Sequence, residues 1–128
     1  MPDTIRTAPR EGRTLSGPAI TFSIAEEIGL LRQEPEWIAG TRNAVTVVKT
    51  SNLSLVLISL RKEANLCGHQ VDGPITLQVI SGAVRFGVAG QPQILATGTV
   101  LALEKSVVHD IQAVDDSELL LTIVKAVQ

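Results

Sequence analysis

Tyrosine is absent from this chain of 128 residues, and Phe22, Trp37 and Phe86 are its only aromatic side chains. Single-stranded nucleic acids are held by rows of stacking rings, and three scattered rings cannot make such a row. A sugar-binding face built on stacked rings loses support for the same reason. Charge of one sign is also missing. A formal net charge of -2 offers no basic footprint for nucleic acid and no pull towards an anionic membrane. The single cysteine, Cys67, excludes an intrachain disulfide, so nothing calls for an oxidising compartment. The opening stretch MPDTIRTAPREGRT is polar and lacks the apolar core of a signal peptide. The longest apolar run, Leu53 to Leu60, is too short to span a bilayer. These absences lead to the expectation of a cytoplasmic protein with no nucleic-acid and no membrane partner.

Several catalytic signatures are missing as well. There is no glycine-rich phosphate loop ending in lysine and no G-x-G-x-x-G after a strand. No G-x-S-x-G elbow is present, so a hydrolase serine has no seat. A Cys67–His109 nucleophile pair lacks a third group to orient it.

What is present reads as one domain. Residues 1–20 hold Pro2, Pro9, Pro18, Gly12 and Gly17 among charged residues, which reads as an extended N-terminal arm. Residues 21–128 then read as a single domain, long enough to bury a core unaided. Ser23 with Glu26 three residues on is a capping-box pattern. Ile24, Ile28 and Leu31 follow on one helical face, and Pro35 stops the helix. From Thr41 the pattern changes to short β-rich runs near 44–49, 53–60, 74–80, 83–88, 92–96, 99–103, 108–114 and 118–125. Turn signals such as Ser81-Gly82, Gly90 with Pro92, and Gly98 separate them. Short strands at this spacing, with no helix between them, predict an all-β sandwich or barrel. LSLVLISL, residues 53–60, is apolar on both faces, as is Leu119–Leu121. One face can fill a core, and the other needs a helix, the arm or a second subunit over it. A homodimer is therefore expected.

The two histidines, His69 and His109, stand in recognisable surroundings. Residues 98–109, GTVLALEKSVVH, resemble the second motif of the cupins, G-x5-P-x-G-x2-H-x3-N. Gly98 and His109 match at the right spacing, with Glu104, Ser106 and Ala113 in the proline, glycine and asparagine places. Residues 69–82, HQVDGPITLQVISG, resemble the first cupin motif. His69 takes the first histidine place and Gly82 the closing glycine, while Val71 and Pro74 stand at the second histidine and the glutamate. The stretch from about 22 to 126 is similar to small single-domain cupins of the cupin-2 type. That resemblance implies an all-β cupin-type double-stranded β-helix, a jelly-roll-like barrel with one short N-terminal helix and an extended arm.

The family usually holds a metal with three histidines and a glutamate, of which only His69 and His109 carry over. The resemblance thus implies either one divalent transition metal (zinc, iron, manganese, nickel or copper) or none. Cys67, two residues before His69, would share its face in extended chain and adds a soft third donor. Gln78, of the same parity as Pro74, is expected to point inward. Arg85 could pair an anionic ligand, although a solvent-facing arginine is the simpler account. The expectation is a small molecule bound in the barrel cavity by His69, Gln78 and His109. One alternative is a metal-dependent dioxygenase or isomerase using His69 and His109 as ligands. Another is a non-catalytic module that associates with itself.

Overall fold

The computed structural model describes residues 15–69 and 72–125, and of residues 67–69 the backbone alone. Among the described residues nine strands and two helices follow in the order α1 (Ile24–Leu31), α2 (Pro35–Ile38), β1 (Arg42–Lys49), β2 (Leu53–Leu60), β3 (Asn65–His69), β4 (Ile75–Ser81), β5 (Ala83–Val88), β6 (Gln91–Ala96), β7 (Val100–Leu103), β8 (His109–Ala113) and β9 (Ser117–Val124). All strand pairs are antiparallel. They form a five-stranded sheet ordered β1-β2-β9-β4-β7 and a four-stranded sheet ordered β3-β8-β5-β6.

The two sheets face one another across an aliphatic core. Period-two alternation sends Val56, Ile58 and Leu60 of β2, Ile75, Leu77 and Val79 of β4, and Leu119 and Leu121 of β9 inward. They meet Val84 and Phe86 of β5, Leu95 of β6, and Ile111 and Ala113 of β8. Leu77, Val79, Val84 and Leu119 are fully buried, and Phe86 nearly so. The middle of the barrel is therefore filled by side chains.

The opposite face of the five-stranded sheet is apolar too, as the doubly apolar strands predict. Val45, Val47 and Leu57 are covered by Ile28 and Leu31 of α1, with Ile20, Phe22 and Ile24 packed at the margin. α1 begins as its sequence suggests, with the Glu26 N–H donating to Ser23 Oγ at 3.2 Å. The chain thus supplies its own lid, and the apolar face that motivated a second subunit is covered from within. Of the expected arm, residues 1–14 lie outside the described residues. The Leu15 carbonyl accepts from the Lys49 N–H at 3.0 Å, tying the following stretch to the end of β1.

Two elements were not expected. Pro35 does not merely stop α1. It occupies the first turn of α2, where a missing N–H costs nothing. β3 is the other, and it carries His69. Among the described residues no helix is long and apolar enough to cross a membrane.

Candidate functional site

β8 positions His109. The residue is 5% exposed and shares the inward face with Ile111 and Ala113, two and four residues on. Its ring stacks on Phe86 of the neighbouring strand, centroids 5.3 Å apart and planes at 10°. His109 Nδ1 lies 3.1 Å from the Val107 carbonyl oxygen. A carbonyl can only accept, so Nδ1 is the donor in this contact.

β3 brings His69 opposite. Leu66 pairs with Ile111 and His69 with His109, so β3 advances three residues while β8 advances two. One extra residue is taken up between Leu66 and His69, and without that irregularity His69 would fall on the other parity from Leu66. The register therefore puts His69 and His109 at opposed backbone positions of β3 and β8. The expected pair is brought together along the backbone. The side chains of Cys67 and His69, like the second histidine place at Val71, lie outside the described residues. The regular alternation assumed for Cys67 and His69 is interrupted next to both.

Gln78 is placed elsewhere. Ile75, Leu77 and Val79 of β4 are buried in the core, so Gln78 alternates to the outer face, level with Leu120 and Val100. The expectation that it points into the barrel is corrected: its parity was counted from Pro74, which is exposed. The first inward side chain of β4 is Ile75, 4% exposed.

Of the expected metal donors, the His109 side chain alone lies among the described residues. Among the described residues no three His, Cys, Asp or Glu side chains come together in a way that could hold an ion. His109 itself rests against the Phe86 ring and the Val107 carbonyl.

The resemblance's other marks have local explanations. Gly82 has φ +85, and a Cβ there would run into the Asp116 carbonyl oxygen and the Ser117 hydroxyl. Gly98 has φ +87 and closes the turn into β7, its N–H donating to the Val79 carbonyl at 2.8 Å. Ser106, in the motif's second glycine place, keeps a left-handed φ of 61.

A further concavity went unanticipated. It is a depression of about 720 Å³ on the outer face of the four-stranded sheet, lined by Arg85, Gly87 and Gln112 among others. His109 does not line it. The one sequence signal was Gly87, a glycine in the middle of a β-rich run.

No family model matches the sequence, and no curated protein matches it. Solved structures do. Over 98% of its own length and 96% of the other, the chain is similar to an RmlC-like cupin from Shewanella frigidimarina, at 16% identity and a TM-score of 0.64. A conserved protein of unknown function from Streptococcus pyogenes matches 89% of this chain and 93% of its own, at 19% identity and a TM-score of 0.65. A cupin superfamily protein from Desulfitobacterium hafniense matches 66% of this chain and 78% of its own, at 13% identity and a TM-score of 0.65. Two facing antiparallel sheets, curled round one core, define a jelly-roll-like β-barrel. More particularly, the fold is of the small cupin type. Likeness at these identities carries the fold and no activity.

Proposed function

We propose that this cupin-type domain binds a small molecule at the end of the barrel where His69 and His109 are opposed, the imidazoles serving as hydrogen-bond partners of the ligand. The observation that carries the reading is the placement of His109. A buried, inward-facing imidazole, oriented by a carbonyl at Nδ1 and by the Phe86 ring, sets a polar group among the apolar walls of that end. Cross-strand register sets a second histidine position against it. Because the Phe86–Ile111 level and the Val84–Ala113 level below are packed, binding is confined to the His109 end. A site with apolar walls and a few polar groups is the usual form of a small-molecule pocket.

Two measurements on untagged protein test this. Native mass spectrometry of the protein as purified should show an added small-molecule mass that disappears in His109→Ala. Elemental analysis of the same samples should show no stoichiometric metal. Stoichiometric metal lost on His109→Ala would replace the reading with a metal centre, and the oxygenase and isomerase classes would then be assayed. An identical bare mass in both proteins would count against binding at this end.

A further inference from the structure

β5 runs from Ala83 to Val88 in unbroken register with β6 on one side and β8 on the other. Gly87 sits inside it. Glycine weakens a strand, and its presence there commonly marks a bulge, a left-handed φ, or something approaching the backbone closely. The first two do not apply. The registers are continuous through Gly87, and it is not among the residues with positive φ. A Cβ built at Gly87 would meet no described atom within 4 Å. Packing of the described chain does not require this position to stay small.

The space above Gly87 belongs to the depression of about 720 Å³, whose lining includes Arg85, Gly87, Pro92, Val108, Asp110 and Gln112. That volume lies within the range of about 300–1,000 Å³ usual for small-molecule sites. It opens on the outer face, since Val84 and Phe86 are buried and Arg85 and Gly87 alternate with them. Its chemistry is mixed. Among the described residues Arg85 is the one cation of the lining and Asp110 its one carboxylate. Arg85 Nη1 donates to Gln112 Oε1 at 3.3 Å, a neutral partner, and among the described residues Arg85 forms no ion pair. Exposed apolar side chains stand nearby: Ile94, opposite Arg85 on β6 and 55% exposed, and Val108 of the lining, 51% exposed. A guanidinium oriented by an amide, with a bare stretch of backbone two residues on and apolar side chains on the lining, can take a carboxylate that carries an apolar body.

We propose that the outer face of the four-stranded sheet is a second binding site, for a small apolar carboxylic acid. The carboxylate pairs with Arg85, and the apolar body lies across Gly87 between Val108 and Pro92. The site is independent of His109, which does not line it.

The test is a titration of the isotope-labelled full chain, followed by amide chemical shifts, with benzoate as probe and benzamide as its neutral counterpart. Benzoate should give saturable shifts at the amides of Arg85, Gly87, Asp110 and Gln112. Benzamide should bind at least about tenfold more weakly, since a charge-assisted hydrogen bond is lost. Arg85→Gln should weaken benzoate by about tenfold for the same reason. Gly87→Val should weaken binding while leaving Tm unchanged or raised, because its side chain takes the space over Gly87 where the ligand body lies and its Cβ meets no described atom. His109→Ala should leave benzoate binding intact, which separates this site from the one at the barrel end. The proposal is overturned if no saturable shifts appear, if they centre on His109 and vanish in His109→Ala, or if Gly87→Val binds benzoate as the natural chain does. Should Gly87→Val fail to fold, Arg85→Gln still decides, since that side chain is exposed and outside the core.

Discussion

The imidazole of His109 lies nearly parallel to the ring of Phe86, centroids 5.3 Å apart. The contact joins the candidate ligand-binding end to the packed middle of the barrel, because Phe86 is 1% exposed and belongs to the core cluster. Phe86→Ala should therefore act twice. Loss of a buried phenylalanine costs about 3–5 kcal/mol, read as a lower midpoint in urea unfolding. It also removes the surface on which His109 rests, so any ligand mass lost in His109→Ala should be lost in Phe86→Ala as well. Retention of the ligand would mean that the Val107 carbonyl alone orients the imidazole.

Leu31 is fully buried between α1 and the outer face of the five-stranded sheet. Leu31→Ala should cost about 2–5 kcal/mol and loosen the lid over Val45 and Leu57. Light scattering across a dilution series should then show more association for the variant than for the natural chain, since a large apolar face is uncovered. Equal association by both proteins would show that α1 is not what keeps this surface from other copies.

Eight of the nine strands could be read from the sequence because each pairs β-branched or leucine-rich alternation with a glycine- or serine-containing turn. β3 could not. Asn65, Leu66, Cys67, Gly68 and His69 hold one strongly apolar residue and a glycine, and their strand state comes from pairing with β8. The second helix was hidden by Pro35, which ends one helix and begins the next. His109 was legible because the motif spacing and the alternation of β8 agree. Gln78 was misdirected by counting from Pro74, a residue before the strand begins. The outer-face depression was not legible, because Arg85, Gly87, Asp110 and Gln112 converge only through β5–β8 register.

Ser106 tests the motif against the backbone. It stands in a glycine place with φ 61, and its side chain is exposed. A left-handed conformation costs an L-residue about 1–2 kcal/mol, partly offset by the greater freedom glycine has when unfolded. Ser106→Gly should accordingly raise stability by about 0.5–1 kcal/mol in denaturant titrations. Gly82→Ala should lower it, since that position adds a collision with Asp116 and Ser117 to the same conformational cost. No gain from Ser106→Gly would mean that the serine side chain offsets its own strain.

Arg61 fastens the start of the barrel to the segment that carries the lid. Its Nε donates to the Gly40 carbonyl and its Nη2 to the Trp37 carbonyl, both at 2.9 Å, while its guanidinium lies 4.1 Å from the centre of the Trp37 ring. Trp37 is 6% exposed, and Arg32 also approaches its ring at 5.1 Å. The arrangement depends on a planar fork with two donors at fixed spacing, which an ammonium cannot reproduce. Arg61→Lys keeps the charge and should still cost about 1–3 kcal/mol, because buried carbonyls lose charged donors. Trp37 is the sole tryptophan, so its emission reports on this junction without interference. A red-shifted emission in native buffer, with the lower urea midpoint, is the expected signature. A variant within about 0.5 kcal/mol of the natural chain, the ordinary range for surface changes, would show that charge rather than fork geometry holds α2 to the sheet.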